Sequence, residues 1–112
     1  MNKSKVYFTK EITSESLVRI YDELGIELKG NIGVKLHTGE KGNQNYLRPE
    51  FMKELKDKVG GIVIECNTAY DGARNTTEKH KELMKEHEWN KYYKVDIMDS
   101  EGDTTLDIPN GK

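Results

Sequence analysis

The chain has 112 residues, of which 34% are apolar and 34% charged, and its formal net charge is −2. This length suits one compact domain and is too short for two of ordinary size, while interspersed charges lack the one-sided positive field that attracts nucleic acids. Short apolar runs argue against disorder, and none approaches the ~18 to 20 residues that a membrane helix needs, so we expect a cytoplasmic protein without nucleic-acid or membrane partners.

The first predicted elements are a strand, a helix and a second strand. Residues 5–8 (KVYF) are a short β-prone run, and Thr13 and Ser14 offer a hydroxyl cap for a helix whose apolar residues recur at helical spacing. Gly25 follows, where a left-handed backbone can end a helix without a steric clash. Residues 31–36 are apolar at nearly every position, which predicts a strand covered on both faces.

The rest of the chain continues this alternation of helices and strands. Pro49 suits the first turn of a second helix, where its missing N–H costs nothing, and a later Gly-Gly pair ends that helix. Residues 62–66 are the clearest strand in the sequence. Asn75 and Glu78 have the spacing of a capping box that opens a third helix, and residues 94–98 are a fourth strand candidate.

The order β-α-β-α-β-α-β predicts the fold class. Right-handed crossovers between successive strands give a parallel sheet with helices packed against it. We expect a three-layer α/β/α sandwich with a mainly parallel, Rossmann-like sheet over residues 1–99. Residues 100–112 do not close this fold: residues 105–108 could form another strand, but PNGK is a turn signal with nothing after it. We expect this tail to be the start of a truncated segment.

Polar residues collect after the predicted strands, at the edge where open parallel sheets bind ligands. His37, Thr38 and Glu40 follow the second predicted strand, and Asn67 begins the polar loop after the third. Loops at the opposite end of the sheet are short and carry little chemistry. This asymmetry predicts a one-sided site, although loops that are only solvated are also polar.

Two charged residues lie inside predicted strands. Lys35 and Glu65 occupy comparable late positions in strands that could be neighbours. Because burying either charge alone is costly, one interpretation is a Lys35–Glu65 ion pair that belongs to the site. The alternative is that both residues lie near the strand ends and reach water.

The histidines and the single cysteine carry weaker signals. His37 with Glu40 could bind a metal ion or position a proton, because imidazole titrates near neutral pH, but one histidine on a glycine-bearing loop is also an ordinary surface residue. His80 and His87 are about two helical turns apart, too far to bind one ion from the same helix, and we expect both at the half-buried edge of a helix face. Cys66 ends an apolar strand, where a small buried hydrophobic residue is the ordinary interpretation.

The loop before the third helix could bind an anion. It carries Arg74 and leads into a helix N-terminus, whose free N–H groups attract carboxylates and phosphates. Tyr70 on this loop, and Tyr46 on the loop after residue 36, could line a pocket or donate a hydrogen bond. A capped helix preceded by an ordinary solvated loop is the alternative.

Four segments, KVYFTKEIT, VKLHTGEKGNQNYLRPEF, GGIVIECNTAYDGARNTTEKH and KVDIMDSEGD, together resemble the N-terminal part of the uncharacterised iron–sulfur-centre proteins, domain-of-unknown-function family 362. The resemblance covers nearly the whole chain. Members of that family are longer and often carry a ferredoxin-like cysteine-rich segment, so the resemblance implies that this chain is an N-terminal fragment. It also implies a 4Fe-4S cluster in the full-length parent and no cofactor in this chain, which lacks the cluster-ligating cysteines.

The resemblance also marks residues in two blocks. The matched positions are Lys35, His37, Thr38, Gly39, Glu40, Asn45, Tyr46, Glu65, Cys66, Asn67, Thr68, Tyr70 and Arg74. Together with the strand-end pattern, they give nine predicted ligand-binding residues: Lys35, His37, Thr38, Glu40, Asn45, Glu65, Asn67, Tyr70 and Arg74. The family's own reaction is not established, so the resemblance assigns these residues no roles.

We therefore expect a ligand-binding α/β domain of a larger iron–sulfur-associated redox protein. Its expected partners are an unknown small molecule and the remaining C-terminal part of the parent protein. Two alternatives stay open, namely a non-catalytic module that docks onto the missing part, and a metal-assisted enzyme centred on His37 and Glu40. A homodimer formed through an apolar face is a further expectation.

Overall fold

The structure is a computed structural model that describes residues 3–102 and 104–111. The elements are α1 (Ser14–Glu23), β1 (Gly33–Lys35), α2 (Pro49–Val59), β2 (Ile62–Glu65), α3 (Thr77–Glu86), a short 3₁₀ helix (Trp89–Lys91) and β3 (Val95–Ile97). The mixed α/β class predicted from the sequence is confirmed. No helix in the described part of the chain is both long and apolar enough to cross a membrane.

The three strands form one parallel sheet in the order β1-β2-β3. Val34 of β1 lies opposite Val63 of β2, which lies opposite Val95 of β3. These strands fall within the second, third and fourth runs that the sequence predicts. Because parallel strands end at the same edge of a sheet, the loops that follow them start there, where the site is expected.

The prediction of a first strand at residues 5–8 is wrong. The segment pairs with no strand in the described part of the chain, and the side chains of Val6 and Phe8 are largely exposed. A β-prone run forms a strand when it can pack on a pleated, half-buried surface with a partner that takes its hydrogen bonds. Residues 5–8 have β propensity but no such surface.

Local signals set the ends of the first two helices as predicted. The Ser16 N–H donates to the Thr13 hydroxyl at 3.1 Å, and the Ser16 hydroxyl accepts from the Thr13 N–H, so the two residues form a capping box for α1. Pro49 is the first residue of α2. Gly60 ends α2 in the left-handed conformation, with φ 67°, which a side chain would disfavour.

The cap of α3 differs from the prediction. Thr76, rather than Asn75, is the N-cap, and its hydroxyl accepts from the Lys79 N–H at 3.3 Å. The Asn75 side chain bonds Asp71 at 2.7 Å instead, and Glu78 lies in the first turn. Adjacent polar side chains compete for the same capping position, and the hydrogen bond to Asp71 draws Asn75 away from it.

The hydrophobic core lies on one face of the sheet. Val63, Val95 and Ile97 face it, and residues from all three helices pack there, with α1 also packed on α2. The other buried core residues are Leu36, Met52, Met84 and Trp89, and the partly buried residues packed against them are Leu17, Val34, Tyr46, Phe51, Leu55 and Tyr93. Because the strands are added in one direction, right-handed crossovers return both α2 and α3 on the same side of the sheet.

The opposite face of the sheet is open in the described part of the chain. It carries Gly33, Lys35 and Asp96, which are exposed, and Ile62, which is 59% exposed. The expectation that β1 is covered on both faces is therefore wrong, because β1 is an edge strand with helices on one side only. The described residues form two layers, one of helices and one of strands.

The tail, residues 100–112, forms no strand where it is described. Residues 105–108 are unpaired, and residues 109–110 form a turn, as the PNGK sequence predicts. Asp103 and Lys112 lie outside the described residues, as do Met1 and Asn2 at the start of the predicted domain.

Candidate functional site

Two loops meet at the carboxyl edge of the sheet. Residues 36–48 follow β1 and residues 66–76 follow β2, and these two strands are hydrogen-bonded neighbours. Six of the nine predicted ligand-binding residues join in one network of side-chain contacts. They are Lys35, His37, Glu40, Glu65, Tyr70 and Arg74, and we call them the Arg74 cluster.

Arg74 is the centre of this cluster and is almost completely buried. Its Nη1 donates to Glu65 Oε1 at 3.0 Å, and its Nε donates to Glu40 Oε1 at 2.9 Å. Its Nη2 also contacts Glu40 and donates to the Tyr70 hydroxyl at 3.3 Å. The guanidinium thus bridges a carboxylate of β2 and a carboxylate of the loop after β1, and these two carboxylates supply the negatively charged acceptors that a buried arginine needs.

One oxygen of Glu40 accepts from several donors. The Tyr70 hydroxyl donates to Oε1 at 2.7 Å, and Arg74 donates to the same atom. The hydrogen bond from Arg74 lowers the pKa of Glu40, and burial only partly opposes this shift. Burial alone would lower the pKa of Arg74, but the bonds and charges of Glu40, Tyr70 and Glu65 raise it overall. Both groups are therefore ionised at neutral pH.

The predicted ion pair between Lys35 and Glu65 is confirmed. Lys35 Nζ lies 2.8 Å from Glu65 Oε2, and the side chains of Lys35 and Glu65 are 49% and 3% exposed. The alternative, in which both reach water, is wrong for Glu65. This carboxylate uses one oxygen for Lys35 and the other for Arg74, so neither oxygen is left buried without a partner.

His37 meets an N–H donor at each ring nitrogen. The Gly39 N–H donates to Nδ1 at 2.9 Å, and Arg74 Nη2 lies 3.1 Å from Nε2. Arginine has no acceptor and a neutral imidazole has only one, so the two contacts cannot both be hydrogen bonds. The Gly39 N–H is fixed by the backbone, whereas Arg74 Nη2 has acceptors in Glu40 and Tyr70. We therefore assign the ring proton of His37 to Nε2, where it faces Arg74.

A second network is fully hydrogen-bonded and lies deeper in the protein. Thr38 and His80 are both completely buried, and Thr38 Oγ1 lies 2.8 Å from His80 Nε2. His80 Nδ1 lies 3.1 Å from Asn67 Oδ1, while Asn67 Nδ2 donates to Thr77 Oγ1 at 3.0 Å. This chain of donors places the ring proton of His80 on Nδ1 and leaves Nε2 to accept from Thr38. Burial, together with the positive charge of Arg74, lowers the pKa of His80, so the ring is neutral.

The expectation that His80 lies at a half-buried helix edge is wrong, whereas for His87 it is confirmed. His80 shares the buried face of α3 with Leu83 and Met84, which follow it by three and four residues. That spacing alone indicates burial. The sequence does not reveal the partner Thr38, whose hydroxyl makes a buried imidazole acceptable.

The backbone of Thr38 is also fixed. Its carbonyl accepts from Trp89 Nε1 at 3.1 Å and from His87 Nδ1 at 2.9 Å. On the second loop, the Asn67 N–H donates to Asp99 Oδ2 at 2.6 Å, which joins the loop after β3 to the site. Thr38 and Asn67, the seventh and eighth predicted residues, thus hold the loops that present the Arg74 cluster.

The ninth predicted residue, Asn45, lies outside both networks. It is exposed, and its N–H donates to the Asn43 side chain at 2.7 Å within the same loop. Tyr46 stacks on His87, with ring centroids 4.5 Å apart. Cys66 is partly rather than fully buried.

The described residues offer no metal centre. No three side chains of His, Cys, Asp or Glu among them are placed to hold a metal ion. His37 and Glu40 both contact the Arg74 guanidinium, whose positive charge disfavours a cation at that point. Cys66 is the only cysteine of the chain, so these residues also do not fit an iron–sulfur cluster, which takes several thiolate ligands.

A cavity of about 220 Å³ opens between the two loops and α3. Lys41, Gly72 and Ala73 line it from the loops, and Lys79 and Glu82 line it from the helix. Lys41 directly follows Glu40 in the chain, and Ala73 directly precedes Arg74. The cavity is therefore a neighbour of the Arg74 cluster and is large enough for a small molecule or a part of one.

Comparison of the chain with protein-family models, with curated proteins and with solved structures finds no match. The resemblance to the iron–sulfur-centre family therefore rests on the sequence segments alone.

Proposed function

We propose that the chain is the ligand-binding α/β domain of a larger, cytoplasmic, iron–sulfur-associated redox protein, and that the Arg74 cluster binds a small polar molecule. The observation that carries this proposal is the convergence of four predicted residues, His37, Glu40, Glu65 and Tyr70, on the buried Arg74, with Lys35 joined to them through Glu65. Groups of ionisable residues with shifted pKa values at the carboxyl edge of a parallel sheet are typical of binding sites.

The cluster has the mixture of rigid and accessible groups that ligand binding requires. Arg74 and Glu65 are buried and hold each other in place, whereas His37 and Tyr70 are exposed at the surface. A ligand can therefore reach polar groups whose positions are set before it arrives, which lowers the entropic cost of binding. In this proposal any iron–sulfur cluster of the larger protein is ligated by residues outside this chain.

Ligand-observed NMR with a library of small carboxylates, phosphates, sugars and amines tests the binding function. The proposal expects at least one compound to bind the wild-type chain and to lose affinity in Tyr70→Phe and in His37→Ala. Both side chains are exposed, so these changes should leave the fold intact. Asp57→Asn, which alters a surface ion pair on α2, is the matched control. A library without a binder, or binding indifferent to both substitutions, contradicts the proposal.

The iron–sulfur assignment has its own test. The full-length parent, purified without oxygen, should show the absorption of an iron–sulfur cluster and contain iron, while this chain alone should not. A parent without iron would remove the redox part of the proposal and leave the binding site as a separate question.

A docking function is the second candidate, and the open face of the sheet favours it. Ile62 and Met98 are 59% and 43% exposed, and Ile64 is only partly buried. We propose that the remaining C-terminal part of the parent covers this face and so completes the three-layer, Rossmann-like sandwich predicted from the sequence. Light scattering at increasing concentration would show whether a second copy covers the face instead, since Ile62→Lys should then abolish a homodimer.

A further inference from the structure

We infer that Arg74, Tyr70 and His37 form a carboxylate-binding subsite, which the side chain of Glu40 occupies while no ligand is bound. This inference rests on the proposed binding function and names its ligand class, namely small molecules that carry a carboxylate. In this arrangement Glu40 competes with the ligand for the same donors. Removing its charge should therefore strengthen ligand binding.

The donors around Glu40 have the arrangement that a carboxylate needs. Arg74 Nε and Nη2 and the Tyr70 hydroxyl all point at Glu40 Oε1, with the Nε and hydroxyl contacts at 2.9 Å and 2.7 Å. The Nε and Nη2 edge of a guanidinium is one of the two edges that bind carboxylates in a fork. The other part of the guanidinium, Nη1, is held by Glu65, so the edge toward Glu40 stays fixed when Glu40 leaves.

With the ring proton assigned to Nε2, His37 provides a donor that has no acceptor among the described residues. Its Nδ1 accepts from Gly39, so its Nε2–H faces Arg74 Nη2 at 3.1 Å with no acceptor between them. Two N–H groups that converge in this way are stabilised when an oxygen lies within reach of both. A free ligand can place one carboxylate oxygen at Arg74 and Tyr70 and the second near His37, because no loop restrains it as the backbone restrains Glu40.

Glu40 is the more exposed of the two carboxylates that pair with Arg74. Its side chain is 30% exposed, whereas the side chain of Arg74 is 4% exposed. It lies between Gly39 and Gly42, whose backbones have φ of 93° and 79°. A displaced Glu40 returns to water, and Arg74 keeps two carboxylate partners, so the exchange leaves no buried charge unpaired.

The test compares the affinity of succinate for wild-type protein and Glu40→Gln by NMR titration. Glutamine keeps the shape of the side chain but is a weaker partner for Arg74. We expect Glu40→Gln to bind succinate about tenfold more tightly or better, a change of about 1.4 kcal/mol. Adding Tyr70→Phe to Glu40→Gln should lower the affinity for succinate several-fold again. The chemical shifts that succinate changes should centre on the amides of Gly39 and Tyr70. Asp57→Asn, which also removes one negative charge, should show no gain.

Several results would overturn the inference. The first is equal affinity of wild type and Glu40→Gln for succinate, and the second is a gain in succinate affinity in Asp57→Asn as large as that in Glu40→Gln. The third is an equal gain in affinity for inorganic phosphate in Glu40→Gln, and the fourth is chemical-shift changes that lie away from the Arg74 cluster. Glu40→Ala is the second variant, and circular dichroism checks both folds; loss of folding in both would show that Glu40 cannot leave and would also refute the exchange. A ligand without a carboxylate that depends on His37 and Tyr70 would refute the inference but keep the binding function. Failure of every compound to bind either protein would refute both.

Discussion

Replacing Arg74 with methionine removes the centre of the cluster and leaves Glu65 buried with only one cation. Glu65 is 3% exposed, and Lys35, its remaining partner, is half exposed and approaches one oxygen only. Breaking a buried ion pair by removal of one member costs about 3–5 kcal/mol, because the other charge stays desolvated. The total stability of a domain of this size is about 5–15 kcal/mol, so Arg74→Met should remove a large fraction of it.

Urea unfolding followed by tryptophan fluorescence measures this loss, because Trp89 is the only tryptophan and is fully buried. With a denaturant slope of about 2 kcal/mol per molar, the midpoint should fall by about 1.5–2.5 M. Lys35→Met is the matched control, since it removes the half-exposed partner of the same carboxylate and should cost about 1 kcal/mol or less. The double variant Arg74→Met/Glu65→Met should be more stable than Arg74→Met alone, because no buried charge remains.

The reasoning fails if Arg74→Met and Lys35→Met cost the same, or if Arg74→Met costs less than about 1 kcal/mol. Either result would mean that water reaches Glu65 and that the cluster is an ordinary surface network. The double variant could instead lose as much unfolding free energy as Arg74→Met and Glu65→Met lose when their separate losses are added. That result would mean that the loss reflects packing of the long side chains and not the unpaired charge.

Three further predictions concern residues outside the cluster's centre. Burial lowers the pKa of His80, so the unfolded chain binds a proton at this ring more readily than the folded protein does. The stability that the neutral ring contributes is therefore complete above the unfolded pKa of about 6.5. It is lost as the pH falls below that value, by up to about 1.4 kcal/mol per pH unit. His80→Gln should flatten that part of the profile in urea titrations at pH 4–8, and an unchanged slope would contradict it. Gly39→Ala should lower the unfolding free energy more than Gly60→Ala in the same assay. Both glycines have positive φ, but an added Cβ meets two aromatic rings within 3 Å at Gly39 and open space at Gly60. We expect a loss of about 1–2 kcal/mol at Gly60 and about 1–3 kcal/mol more at Gly39, and equal losses would refute the close approach. Thr76→Ala should lower stability by about 1 kcal/mol and Asn75→Ala by less than about 0.5 kcal/mol, whereas the reverse order would restore the cap predicted from the sequence.

The parts of the fold that the sequence predicts are those with local causes. Thr13 caps α1, Pro49 opens α2 and Gly60 ends it, and each of these residues acts on the few residues next to it. The pairing of Lys35 with Glu65 is also predictable, because two charges inside apolar strands need each other and neighbouring parallel strands end together.

The parts that the sequence does not predict depend on distant partners. Residues 5–8 have the propensity of a strand, but their structure is decided by whether a sheet edge receives them. His80 shares the buried face of α3 with Leu83 and Met84, but its partner Thr38 lies 42 positions away in the chain, so no local pattern identifies it. The same holds for Arg74, whose pattern in the sequence suggests an anion site but not that Glu40 occupies it.

The loop after β1 therefore combines a buried, fixed residue with a partly exposed one. Thr38 is held through its hydroxyl by His80 and through its carbonyl by Trp89, so the start of the loop cannot shift without breaking buried hydrogen bonds. Two residues later, Glu40 is partly exposed and lies between glycines. A loop anchored in this way lets one side chain leave Arg74 while His37 and the guanidinium keep their positions. Under this interpretation the strength of the Glu40–Arg74 ion pair limits ligand affinity, because the ligand must displace Glu40. The ion pair itself should weaken as Glu40 is protonated in acid.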